Sequence, residues 1–225
     1  MPEDHQYAGA QAVVLKPSKA FPLMKLEAKT RALIWQHVFA PATGNKIEIN
    51  SSGSSVSAKA YTDGLKCRLG PLMVNKAILA ETRPILYSNN FKFNDTAALL
   101  NFLTGVSDAV RQSLTGVIEV YTYKKASAGA MFNMLTNCTN IPRLHFATGI
   151  ALNSTPAKAA NAFHKDAARF LDAVTIAKGS KDEAFGILAF GKSVKAFSVK
   201  ENDEQRAWTV EEKDEFNELL KGKMK

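Results

Sequence analysis

Val117-Ile118-Glu119-Val120-Tyr121-Thr122-Tyr123, then a helical stretch carrying Met131, Met134 and Leu135, then Arg143-Leu144-His145-Phe146: this run decides the fold class. The first segment is β-branched and aromatic, the composition of a strand. The last repeats that character after a helix-sized interval. Two strands joined by a helix within about 30 residues need a crossover, so the run predicts a βαβ unit with parallel strands.

Downstream, residues 155–178 read as the clearest helix. Thr155 caps it, Pro156 fits its first turn, and Phe163, Ala167, Phe170, Leu171 and Val174 share one face before the stop at Lys178-Gly179. Ser180-Lys181-Asp182-Glu183 is a capping box opening a short helix to Phe190. Ser193–Lys200 reads as a strand. Thr209 with Glu212 repeats the capping box, and Phe216, Leu219 and Leu220 form the apolar edge of a final, acidic helix.

Upstream the pattern is helical. Leu26, Thr30, Leu33, Ile34 and Val38 form a stripe within Leu23–Phe39. A second helix fits Leu72–Arg83, with Leu72, Leu79 and Leu86 a heptad apart and Pro84 ending or kinking it. Asp95 or Thr96 caps a third, faced by Leu99, Leu100, Leu103 and Val106, and a shorter piece aligns Val106, Val110 and Leu114. Between the first two helices, Pro41, Gly44 and Asn50-Ser51-Ser52-Gly53-Ser54-Ser55 mark a flexible insertion over 40–66, with at most a short strand near Ile47 and Ile49. Residues 1–20 read as a flexible N-terminus. The expectation is a mixed α+β chain: one compact domain over 21–225, in which a helical part (21–105) packs on a small βα-containing part (106–225).

Composition narrows the class. The 225 residues are 46% hydrophobic and 22% charged, values of a globular protein that argue against wholesale disorder. Lys and Arg exceed Asp and Glu by 29 to 21, for a net charge of +8. The excess is uneven, because residues 1–200 hold 24 basic and 13 acidic groups and residues 201–225 hold 5 and 8. No run nears the about 18 apolar residues of a spanning helix, so no membrane association is expected. Two cysteines, Cys67 and Cys138, lie far apart, and the polar start Met1-Pro2-Glu3-Asp4-His5 lacks an apolar export segment. Cytoplasm or nucleus is the expected compartment.

Candidate chemistry is sparse. Gly186-Ile187-Leu188-Ala189-Phe190-Gly191-Lys192-Ser193 matches G-x-x-x-x-G-K-[ST] literally. A phosphate loop needs a strand before it and a helix after it, whereas here a capped helix runs in and a strand runs out. The reading is instead a helix C-cap at Gly191 followed by a turn. His5, His37, His145 and His164 show no metal-ligand spacing with one another or with the cysteines. No nucleophile elbow is present. Neither a cofactor nor an enzymatic activity is expected. Tyr121, Tyr123, Lys124 and Lys125 combine aromatics and positive charge at a strand end, the basis of the alternative reading as a basic nucleic-acid-associated module.

Two segments together resemble the F-box-like, Glu-x-Arg-repeat proteins of filamentous fungi. Phe21-Pro22-Leu23-Met24-Lys25-Leu26-Glu27-Ala28-Lys29-Thr30-Arg31-Ala32-Leu33-Ile34-Trp35 is similar to the family's opening Leu-Pro-x-Glu-x-Arg-x-x-Ile-Trp/Tyr helix. Leu72–Phe93, containing Glu81-Thr82-Arg83 and Tyr87-Ser88-Asn89-Asn90-Phe91, is similar to its second half. The resemblance spans about 21–105 and continues more weakly to 146. Glu27 and Lys29 depart from the family's Pro and Glu, Asn75-Lys76 replaces its Cys-Arg, and a residue is missing between Asn90 and Phe91. The resemblance implies a non-catalytic protein–protein interaction protein, in its most specific form a substrate receptor docking on a Skp-type adaptor of a ubiquitin ligase. Leu23, Leu26, Ile34 and Trp35 are the candidate docking residues, although Leu26 and Ile34 suit a core-facing stripe equally well. Residues two apart do not face each other on a helix, so Glu81 is expected to pair with Arg31 on the first helix rather than with Arg83.

Overall fold

The computed structural model describes residues 22–40, 46–52, 55–58, 72, 76–201 and 204–224. A 3-10 turn at Leu23–Lys25 leads into α1 (Ala28–Phe39), β1 (Lys46–Ser52), β2 (Ser55–Ala58), α2 (Lys76–Tyr87), β3 (Asn90–Asp95), α3 (Thr96–Gly105) and α4 (Asp108–Gln112). There follow β4 (Ile118–Thr122), α5 (Lys125–Leu135), β5 (Leu144–Thr148), α6 (Pro156–Lys178), α7 (Lys181–Gly186), β6 (Leu188–Phe190), β7 (Ser198–Glu201), β8 (Glu204–Ala207) and α8 (Val210–Lys223).

The class is mixed α/β. Six strands form one sheet in the order β2-β1-β3-β4-β5-β6, and β1, β3, β4, β5 and β6 run parallel, with β2 antiparallel on the flank. Strands β4 and β5 and the intervening α5 are the βαβ unit read from residues 117–146. Each parallel strand lies beside the one before it. Crossovers that all step the same way, with one hand, put their helices on one face.

The inward face is apolar in each of the five parallel strands: Ile47 and Ile49, Phe91 and Phe93, Ile118 and Val120, Leu144 and Phe146, and Leu188 are all buried. Helices reach this face through aromatic contacts. Phe102 of α3 meets Phe91 and Phe93, Phe132 of α5 meets Phe146, and Phe163 of α6 meets Phe146 and Phe190. Phe216 of α8 closes the series on Phe190, with ring centroids 5.5 Å apart. Most of these pairs near β6 are edge-to-face, a geometry worth about 0.5–1.5 kcal/mol each beyond burial.

Local signals set the helix ends. Asp95 accepts the Ala98 amide at 2.8 Å, Gly179 stops α6 at φ +74, and Thr209 and Glu212 close both halves of a capping box on α8. Pro84 sits inside α2, which continues past it to Tyr87.

Four expectations change. Residues 21–105 are not helical throughout: β1 and β3 lie in the same sheet as β4, β5 and β6. The expected short strand near Ile47 is a seven-residue member of that sheet, although 41–45, 53–54 and 59–66 of the expected insertion lie outside the described residues, as do 1–20. The helix expected to reach Phe190 ends at Gly186, because β5 captures the residues that follow: the Leu144 amide donates to the Ile187 carbonyl, and the Gly191 amide to the Phe146 carbonyl. Accordingly Gly191 is no helix cap. It ends a strand, and a Cβ there would lie 2.1 Å from the Ala147 carbonyl oxygen.

Candidate functional site

The first candidate surface is the α1–α2 arm. Arg31 lies one helical turn beyond Glu27 and reaches across to α2, where its Nε and Nη2 donate to the two Glu81 oxygens at 2.9 and 2.6 Å. Its Nη1 also donates to the Leu26 carbonyl, tying the turn before α1 to the same guanidinium. Trp35 Nε1 donates to Glu81 Oε2 at 3.4 Å. The Arg31 hydrogen bonds, helped by Trp35, hold the Glu81 carboxyl below its ordinary range against the opposing effect of burial. Arg83, two residues on, has its Nε buried with no hydrogen-bond partner among the described residues.

The candidate docking residues differ in exposure. Trp35 is only 4% exposed and packs on Phe39, so it belongs to the interior. Leu23, Leu26 and Ile34 are half-buried. The open apolar side chains of this arm are Leu33, 66% exposed, and Met24, 45% exposed. The stripe in the sequence includes Leu33 but carries no sign that this member faces outward, since a stripe does not say which of its flanks meets a neighbour.

The second surface is the strand face opposite the helices. Strand register places Glu48, Lys92, Glu119 and His145 in one row across β1, β3, β4 and β5. Lys46, Asn90 and Arg143 flank it on one side, and Asn50, Asn94 and Tyr121 on the other. Lys92 donates to Glu48 at 2.8 Å, Lys46 pairs with Glu119, and Asn94 donates to Asn50 at 2.7 Å. A shallow cavity of about 360 Å³ opens between Lys46, Asn90, Glu119, Arg143 and His145. Burial holds the His145 imidazole below its ordinary value; Arg143 and Lys46 act in the same direction and Glu119 opposes. Tyr121 stands 50% exposed on this face.

The third region is the carboxyl end of the strands, where parallel sheets usually bind ligands. Lys124 pairs with Asp95 at 2.6 Å, and Thr96 bonds the Lys124 carbonyl and Ser127. Burial opposes the charge on Asp95, yet Lys124 and the Ala98 amide hold its carboxyl below the ordinary range. Tyr123 donates to Asp166 at 2.7 Å inside a cleft of about 280 Å³, its ring against Phe146 and Phe163. Burial, and then Asp166, push its phenol up.

These positions dismantle the expected stacking cluster. Tyr121 stands exposed on β4, whereas Tyr123, one residue past the end of that strand, is buried against Phe146 and Phe163, and Lys124 is engaged by Asp95. A groove for single-stranded nucleic acid needs aromatics and cations side by side, so this cluster does not support the nucleic-acid alternative.

Other chemistry is likewise unsupported by local geometry. Lys192 and Ser193 are followed by turns and then β7, so no helix begins at them as a phosphate loop requires. Cys138 is buried, and burial pushes its thiol up to about 12, the opposite of an activated nucleophile. Among the described residues no group of three or more His, Cys, Asp or Glu side chains is arranged to hold a metal ion, and no helix is long and apolar enough to cross a membrane. Comparison with family models, curated proteins and solved structures finds no match to this chain.

Proposed function

We propose that the chain is a non-catalytic protein-interaction protein, a receptor that offers its α1–α2 arm to a Skp-type adaptor and its open strand face to a protein substrate. The observation that carries this reading is the polar strand face on which no described element packs. Parallel sheets ordinarily carry helices on both faces. Here one side is left to a row of charged and amide side chains, with Tyr121 standing out of it. Tyrosine and arginine are the residue types that anchor protein interfaces, and Arg143 lies on the same face. The adaptor half of the proposal rests on the resemblance over 21–105 and on the exposed Leu33 and Met24.

The test is direct binding of the purified chain to a purified Skp-type adaptor, followed by calorimetry. Saturable binding with Kd below about 100 µM is expected, weakened at least roughly tenfold by Leu33→Asp. Tyr121→Ala is expected to leave adaptor binding unchanged while reducing substrate capture. Adaptor binding that is absent, or indifferent to Leu33→Asp, overturns the adaptor assignment.

A further inference from the structure

The outer edge of the sheet holds a different surface. Strand β6 is last in the order, and its hydrogen bonds fix the direction of its backbone. The Leu144 amide donates to the Ile187 carbonyl and the Gly191 amide to the Phe146 carbonyl, both at 2.8 Å. In a parallel ladder alternate residues bond to alternate sides. Ile187, Ala189 and Gly191 therefore serve β5, and the N–H and C=O groups of Leu188 and Phe190 point away from the sheet. Among the described residues no strand pairs with that side.

A three-residue edge is by itself the usual protection against strand addition. What distinguishes this one is its setting. The helix layer runs α3, α5, α6, α8 in contact order, and α8 seats Phe216 on Phe190 of the last strand. Val210, Lys213, Asp214 and Asn217, at helical spacings of three and four, line a groove with the β6 backbone. Its volume is about 490 Å³. Phe185 and the exposed Val210 supply apolar walls.

Charge selects the occupant. Arg143 lies at the end of the groove where β6 begins, and Lys192 follows the end where it stops. Lys213 donates to the Lys192 carbonyl at 3.2 Å, which keeps its ammonium at that second end. Against these three cations the groove wall carries one carboxylate, Asp214. Outward backbone donors and acceptors ask for an extended main chain, the apolar wall for a side chain between them, and the cations for acidic residues on either flank.

We propose that this groove seats an extended peptide segment of a partner protein, apolar in its centre and acidic at its flanks, added as a strand to the free edge of β6. The site uses none of the α1 residues, so it stands or falls independently of adaptor docking.

The test uses the full-length chain, ¹⁵N-labelled, and a fluorescein-tagged peptide of sequence DDVTVTVDD. Saturable binding with Kd below about 1 mM is expected, with the Leu188 and Phe190 amide signals among those that shift. N-methylation of alternate peptide nitrogens supplies the decisive readout. One set removes the donors facing β6 and is expected to weaken binding by more than roughly tenfold; the other set faces away and is expected to be nearly silent. The double substitution Lys192→Glu with Lys213→Glu, both on the surface, is expected to weaken the acidic peptide by roughly tenfold and to favour KKVTVTVKK instead. No saturation, equal loss from both methylated sets, or shifts confined to the open strand face would overturn the proposal. Concentration-dependent shifts at Leu188 and Phe190 without peptide would assign the edge to a second copy of the chain and overturn it equally.

Discussion

The two glycines of the literal phosphate-loop pattern have opposite structural roles, and replacing each with alanine separates the two accounts of that segment. At Gly191 an added Cβ would lie 2.1 Å from the Ala147 carbonyl oxygen and 2.9 Å from its carbon, where real Cβ atoms stay beyond 3.0 Å. Relief needs the end of β6 to retreat from β5 by about 0.9 Å. That movement stretches the 2.8 Å bond from the Gly191 amide to the Phe146 carbonyl past any useful length. Loss of the bond costs about 1 kcal/mol, and forcing atoms into a filled space costs about 1–3 kcal/mol more. For a chain of this size each kcal/mol moves the melting point by roughly 2–4 °C, so a fall of about 10 °C is expected. Gly186 is the control: it is the last residue of α7, exposed, with nothing within 4 Å of its would-be Cβ. Alanine there is expected to be neutral, or stabilising by up to about 1 kcal/mol, because it restricts the unfolded chain. Thermal unfolding followed by circular dichroism, with and without ATP and magnesium, reads both. A Gly191→Ala protein melting within about 2 °C of the parent, or a Gly186→Ala protein falling as far, refutes the packing argument. A melting point raised by nucleotide in the parent refutes the rejection of the phosphate loop.

The Arg31–Glu81 pair predicts an acid-limb effect. A depressed carboxylate contributes stability that is present above its unfolded value, ordinarily 4.5, and lost as pH falls through the lower folded one. Glu81→Gln is therefore expected to flatten the loss of stability below that value, and a double-mutant cycle with Arg31→Met to show coupling; unchanged acid unfolding and zero coupling would show the pair to be energetically idle. His145 is expected to titrate below 6.5 when followed by NMR, since burial, Arg143 and Lys46 act together against Glu119. Its contribution to stability is then present above 6.5 and lost as pH falls toward the folded value, and His145→Gln removes that slope. A midpoint above 6.5 would mean that Glu119 governs the row.

Much of the local architecture was readable because it is encoded within a few residues. The caps at Asp95, Ser180 and Thr209, the stop at Gly179 and the strands at Ile118 and Leu144 need only contacts three or four residues away, or simple alternation. The parallel βαβ unit followed from the length of the connection alone. Strand β3 shows where local reading falls short: Asn90-Phe91-Lys92-Phe93-Asn94 alternates over only five residues, and its pairing with β1 and β4 is what makes it a central strand. Strand β6 carried still less signal, since a three-residue strand exists only through its bonds to β5.

Local residue patterns carry most of the helices and their ends, the strands β4 and β5, and the placement of Arg31 and Glu81 on separate helices with opposite charges. The tertiary packing turns Trp35 inward and Leu33 out, and brings Glu48, Lys92, Glu119 and His145 into one open row. It alone left the backbone of Leu188 and Phe190 without a strand partner among the described residues. The physical reason is range. Backbone preference and capping act over one helical turn, whereas exposure and register depend on which distant element arrives beside a residue and on which side it packs.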